Sequence, residues 1–114
     1  CYDLRFPELF RNLSNLDVDL ICMPAAFTAV TGKAHWKYLI KSRAIENLVY
    51  FAASAQGGYH VSGRETYGHS MIVNPWGETL DIAESGSKII VSEIDLNSQA
   101  RLRKNFPCLE HKKF

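Results

Sequence analysis

The segment Cys1-Tyr2-Asp3-Leu4-Arg5-Phe6-Pro7-Glu8-Leu9 carries the residues best placed to do chemistry. Pro7 suits the first turn of a helix, where its missing N–H costs nothing and its φ is already helical. Glu8 sets a negative charge beside the positive end of the helix dipole. Leu9, Phe10, Leu13 and Leu16 then repeat at the spacing of a helix that buries one face. A thiol just ahead of such a helix lies in a positive field among free backbone N–H groups, a setting that favours thiolate and nucleophilic attack. The same N–H groups could hold a developing oxyanion. A small core cysteine that merely precedes a helix fits this stretch equally well.

Three further groups stand where ligands bind. Phe27, Thr28 and Thr31 follow an apolar run, at the strand end where α/β folds place ligands. An ordinary loop with an ST-turn has the same composition. His60 and Arg64 lie in a glycine-punctuated stretch, 56–65, that reads as a loop longer than most connections in a compact domain. Arg64 could clamp a carboxylate through two parallel hydrogen bonds, or stand free in solvent. His69, just ahead of a strand, reads as a packed structural histidine. The four histidines and three cysteines have no C-x-x-C or H-x-x-x-H spacing, so no metal site is expected. No glycine-rich phosphate loop or other cofactor signature is present.

The elements that must position these residues follow from periodicity. Residues 18–23 form a continuous apolar run closed by Pro24, which suits a strand buried on both faces. Residues 25–32 read as a loop. Residues 33–47 read as a helix with Trp36, Leu39, Ile40 and Ala44 on one stripe and Lys33, Lys37 and Lys41 on another. Residues 48–54 make a second apolar strand, so strand, helix, strand implies a parallel pair. Residues 70–73, the turn 74–77 and residues 78–83 form a hairpin. Residues 88–94 alternate as a third β segment, and 96–105 read as a short basic helix before a charged tail. The fold class is α/β, a mixed sheet with a βαβ crossover followed by β-hairpins. Strands buried on both faces need a layer on each side, and two long helices plus a short one leave an apolar face or an open edge uncovered. A partner or further polypeptide is expected there.

At 114 residues, 46% hydrophobic and 22% charged, the chain has the make-up of one globular domain. A net charge of +1 implies no electrostatically driven partner, neither nucleic acid nor an anionic membrane. No apolar run approaches a membrane span, and no signal-peptide pattern is present. Cys1, Cys22 and Cys108 make no disulfide framework and favour a reducing compartment such as the cytosol.

The stretches CYDLRFPEL, PAAFTAVTGKAHW, SRAIEN, AASAQGG, GRETYGHSMIVNPWGE and PCLEHKK together resemble the C-terminal half of the nitrilase (carbon–nitrogen hydrolase) superfamily, over essentially the whole chain. The resemblance is to the Nit branch, which includes deaminated-glutathione amidases and ω-amidases, and TGKAHW and YGHSMIVNPWGE look more like the former. It implies that residues 1–114 are a partial domain, the C-terminal half of an α-β-β-α sandwich. Such a domain hydrolyses a non-peptide amide of a small carboxylate-bearing substrate through a Glu-Lys-Cys triad, with water as co-substrate and no cofactor. Cys1 then falls on the nucleophile and the backbone N–H of Tyr2 on an oxyanion donor. Phe27, Thr28, Thr31, His60 and Arg64 are the candidates for substrate binding.

The family's glutamate and lysine lie ahead of its cysteine, so this chain alone is expected to show no turnover. Glu8, Glu46 and Glu65 have simpler explanations: a first-turn charge, an Arg43–Glu46 pair and an exposed loop residue. Family members pair through the helix after the cysteine and the next one. That implies a homodimer through residues 5–16 and 33–47, with the tail reaching toward the partner. A cytoplasmic location is expected, and a mitochondrial one stays open because a targeting segment would lie ahead of Cys1. Two other classes also stay open. One is an N-terminal-nucleophile hydrolase in which the α-amine of Cys1 is the base, although those enzymes start a β-strand at the nucleophile. The other is a non-catalytic assembly module.

Overall fold

The chain enters the fold through a single 3-10 turn, Tyr2–Arg5, with Cys1 as its N-cap, and only then begins α1 (Pro7–Ser14). The computed structural model describes residues 1–114. Pro7 and Glu8 occupy the first turn of α1 as the sequence implies. The cysteine stands one turn further out than expected, and Pro7 is the reason. It has no N–H to give the carbonyl of Asp3, so the helix cannot extend back through it. That carbonyl accepts from Phe6 instead, at 3.0 Å. The helix also ends before Leu16, which is exposed with Leu9, while Phe10 is buried and Leu13 packs on the core.

The strands β1 (Leu20–Ala25) and β2 (Tyr50–Ala55) pair in parallel, from Leu20 opposite Tyr50 to Ala25 opposite Ala55. The helical path between them runs through α2 (Ala29–Thr31), a π turn (Gly32–Trp36) and α3 (Lys37–Asn47). It starts inside the stretch that reads as a loop. Thr28, with extended backbone, is the N-cap, and its carbonyl already accepts from Gly32 at 2.7 Å. Trp36, Ile40 and Ala44 are fully buried, and Tyr38 is 71% exposed on the opposite side. The strands β5 (Ser70–Val73) and β6 (Thr79–Ala83) complete a four-stranded sheet of order β1-β2-β5-β6, antiparallel after the first pair. The turn between them is set by Asn74, whose Oδ1 accepts from the N–H of Trp76 at 3.0 Å and of Glu78 at 2.9 Å.

Three expectations are corrected. Strand β1 runs through Pro24 and is not buried on both faces. Ile21 is buried and Met23 and Ala25 are half-buried, while Leu20, Cys22 and Pro24 are exposed. It is the edge strand, where a residue without an N–H is tolerated. The core of Phe10, Trp36, Ile40, Phe51, Met71 and Val73 lies against one face only, so the uncovered apolar face implied by the shortage of helices is present.

The supposed loop of 56–65 contains β3 (Gly57–Tyr59), which pairs antiparallel with β4 (Glu65–Tyr67). Its glycines hide the strand pattern. A Cβ on Gly57 would stand 2.9 Å from the Cα of Gly68. Residues 88–94, which alternate well, form no strand. Ile89 and Val91 are exposed, and the N–H of Val91 goes to the Asp81 carboxylate at 3.2 Å. Alternation supplies faces but not a partner ladder. The last helix, α4 (Leu96–Asn105), has the expected bounds because Asp95 caps it, accepting from Ser98 at 2.9 Å.

Gly32 has an ordinary helical φ of −61° but lies against the side chain of Tyr67 in β4. An added methyl would enter the space of that ring. Gly32→Ala should cost about 1–3 kcal/mol through overpacking, read as a lower denaturation midpoint. An unchanged midpoint would mean that the hairpin gives way freely.

Candidate active site

Strand β1 ends at Ala25, and the next backbone N–H, that of Ala26, donates to Cys1 Sγ at 2.8 Å. The same peptide unit is held from its other end. The carbonyl of Ala26 accepts from Arg64 Nη2 at 3.0 Å, and Arg64 comes from the connection between β3 and β4. An open pocket of about 170 Å³ lies beside the thiol. Phe27, buried, lines it and packs on Trp36 at 5.1 Å between ring centroids. The hydroxyls of Thr28 and Thr31 stand 2.6 Å apart at its side. Tyr2 lines it as well, at the start of the 3-10 turn, where N–H groups have no partner within the turn.

The sequence candidates Phe27, Thr28, Thr31 and Arg64 thus meet at one place with Cys1 and Tyr2. His60 does not join them. Its Nε2 lies 2.8 Å from the Thr66 hydroxyl, within the hairpin. His69 is packed as expected, stacked on Tyr67 at 3.8 Å, with its carbonyl accepting from the Trp36 indole at 2.8 Å. None of Glu8, Glu46 and Glu65 lines the pocket, and Glu46 is paired with Arg43 at 2.9 Å.

Two participants escape the sequence reading. Arg5 lines the pocket, with its guanidinium 5.3 Å from the Phe27 ring centroid and Nη1 3.3 Å from His35 Nδ1. Side chains three apart eclipse in a 3-10 turn, so Arg5 follows Tyr2 onto one side. That signal appears only once the turn is known not to be α-helical. The N–H of Ala26 is backbone, and no residue type announces it. The hairpin holds the Phe27–Thr28 segment in place, since the N–H of Tyr67 donates to the carbonyl of Phe27 at 2.9 Å and Thr28 bridges to Thr66. Chemically, the pocket offers a hydrogen-bonded thiol, two hydroxyls and two guanidinium groups, with no carboxylate among its lining side chains. Such a set suits an anionic ligand presented to a sulfur nucleophile.

The model of the carbon–nitrogen hydrolase family matches residues 1–104. The deaminated glutathione amidase of Dictyostelium discoideum is 48% identical over 99% of this chain and 39% of its own length. That of Synechocystis is 47% identical over 100% and 42%. The chain thus spans about two-fifths of these relatives. Among solved structures, Saccharomyces cerevisiae Nit3, a member of branch 10 of the nitrilase superfamily, superposes with a TM-score of 0.92 at 35% identity, over 100% of this chain and 42% of that one. A mutant of the amidase from Nesterenkonia sp. AN1, with the acetamide moiety of fluoroacetamide added covalently at its active site cysteine, gives 0.67 at 28% identity, over 74% and 31%.

Iodoacetamide should label Cys1 at least about tenfold faster than Cys22 or Cys108, because its sulfur alone accepts an N–H bond among cationic side chains. Equal labelling of the three thiols, followed by peptide mass spectrometry, would remove the basis for a special role of Cys1.

Proposed function

The chain belongs to the carbon–nitrogen hydrolase family, and on that footing we propose that it is the cysteine-bearing part of a thiol amidase with Cys1 as nucleophile. The substrate we infer is the amide of a small carboxylate-bearing compound such as deaminated glutathione. The observation that carries this reading is the Cys1 sulfur, held at 2.8 Å by the Ala26 N–H beside two guanidinium groups. The names of the Dictyostelium and Synechocystis relatives and the cysteine adduct of the Nesterenkonia amidase support it.

In this mechanism Cys1 Sγ attacks the amide carbon, and the carbonyl electron pair moves onto oxygen, to which the Tyr2 N–H donates a hydrogen bond. The tetrahedral species collapses, the C–N bond breaks, and ammonia or an amine leaves with a proton. Water then attacks the thioester, which releases the carboxylic acid and restores the thiol. Arg64 and Arg5 hold the carboxylate at the far end, Phe27 provides the apolar floor, and Thr28 and Thr31 offer hydroxyls to the polar middle. A general base and a second oxyanion donor are still required, and the pocket has no carboxylate. We assign both, the glutamate and the lysine of the family pattern, to the part of the relatives' length that these 114 residues do not span. The same part covers the bare face of the sheet. We further infer a homodimer through α1 and α3, on which Leu9 and Tyr38 are exposed. The N-terminal-nucleophile alternative has less support, since Cys1 opens a 3-10 turn rather than a strand.

Three outcomes are expected. In the intact protein, Cys1→Ser should abolish hydrolysis of deaminated glutathione, and persistent turnover would exclude the nucleophile assignment. The 114-residue chain alone should show none, and turnover by it would mean that the chain carries its own base. Arg64→Ala should raise KM about 10–100-fold, the worth of a charge-assisted hydrogen bond. It should lower kcat as well, because Arg64 also holds the Ala26 peptide that binds the Cys1 sulfur. An unaltered KM would remove the clamp, and parallel kinetics with α-ketoglutaramate separate the ω-amidase alternative.

A further inference from the structure

Leu4 is fully buried in the turn that follows Cys1, and the sequence deprives its carbonyl of a local donor. In a 3-10 turn that oxygen accepts from the residue three positions on, which here is Pro7, with no N–H. Another element fills the gap. Arg43 of α3 donates to the Leu4 oxygen twice, from Nε at 3.0 Å and from Nη2 at 2.8 Å. Its remaining nitrogen, Nη1, pairs with Glu46 Oε1 at 2.9 Å, three residues along the same helix. The guanidinium also lies 5.7 Å from the centroid of the Phe10 ring. Arg43 is only 5% exposed, so the whole fork is engaged away from water. On the other side of the residue, the Leu4 N–H donates to the carbonyl of Cys1 at 3.3 Å. A line of hydrogen bonds therefore runs from Glu46 through Arg43 and Leu4 to the backbone of Cys1.

We propose that Arg43, oriented by Glu46, is a positioning residue for Cys1. It fixes the 3-10 turn so that the sulfur stays on the Ala26 N–H and at the pocket. The proposal rests on Cys1 being the nucleophile. A buried arginine could serve packing alone, but two of the three fork nitrogens converge on one carbonyl of the thiol-bearing turn. A lysine carries a single nitrogen and cannot keep both bonds and the Glu46 pair. Release of the turn moves the sulfur relative to a bound amide carbon, and a shift of about 1 Å costs on the order of 10²-fold in rate.

The test uses the intact protein. Arg43→Lys should lower kcat about 10²-fold while KM stays within about threefold, because binding is retained and only alignment is lost. Iodoacetamide labelling of Cys1 should slow in parallel. Glu46→Gln leaves the two Leu4 bonds but removes the charge that orients Nη1, so kcat should fall less, about 3–10-fold, with KM unchanged. That variant carries the test if Arg43→Lys does not fold. A lowered midpoint with unchanged kcat in Arg43→Lys, or wild-type kcat in Glu46→Gln, would reduce Arg43 to a packing role and overturn the proposal. Turnover by Cys1→Ser would instead overturn the nucleophile assignment, and this proposal with it.

Discussion

The peptide unit of Ala26 joins the elements that meet at the pocket. Its N–H ends on the sulfur of Cys1 and its carbonyl on the guanidinium of Arg64, so the 3-10 turn and the β3–β4 hairpin are tied at one amide. The amide is where it is because β1 is in fixed parallel register with β2, closing with Ala25 opposite Ala55 and the N–H of Gln56 on the carbonyl of Ala25 at 2.8 Å. A slip of one residue would turn Ile21 and Met23 out of the core, so the register is pinned by burial on one face. Site geometry here is set by a strand end, and the core of Trp36, Phe51 and Met71 guarantees it from behind.

The helix that follows contributes in a different way. The path from 29 to 47 supplies Trp36 and Ile40 to the core and Arg43 to the cysteine turn, and Leu48 closes it in the left-handed region at φ 50°. The carbonyl of Leu48 is taken by Gln99 Nε2 and Arg103 Nε of α4, both at 3.1 Å. Arg103 also reaches Asp19 Oδ1 at 2.8 Å, just ahead of β1. Polar side chains, most of them aimed at backbone carbonyls, thus fasten the residues that lead into β1 and β2. This mode of docking suits a helix as polar as α4.

What the sequence made legible, and what it hid, divides along physical lines. Cys1, Phe27, Thr28, Thr31 and Arg64, which line one pocket, stand out in the sequence because side-chain chemistry at a helix start or strand end is a property of residue type. The N–H of Ala26 and the carbonyl of Leu4 carry as much of the geometry, and every residue type offers those groups, so composition does not mark them. Arg5 was hidden by a turn type, and Arg43 by the ease with which an Arg–Glu pair three apart on a helix passes for a surface feature. The strands show the same split. Residues 88–94 alternate without a partner, whereas Gly57–Tyr59 pairs without alternating, since pairing is a property of neighbours and not of pattern.

The missing N–H of Pro7 has one more consequence. Because the Leu4 carbonyl is satisfied from a helix 39 residues further along, the cysteine turn cannot be completed by local folding. A nascent or partly unfolded chain carries an ordinary thiol, and the docking of α3 on the cysteine turn is needed to hold that thiol in its fixed surroundings. Contacts at such sequence separation form only when loop closure has been overcome. The surroundings of the sulfur are therefore coupled to the order of assembly, and a misdocked chain lacks them.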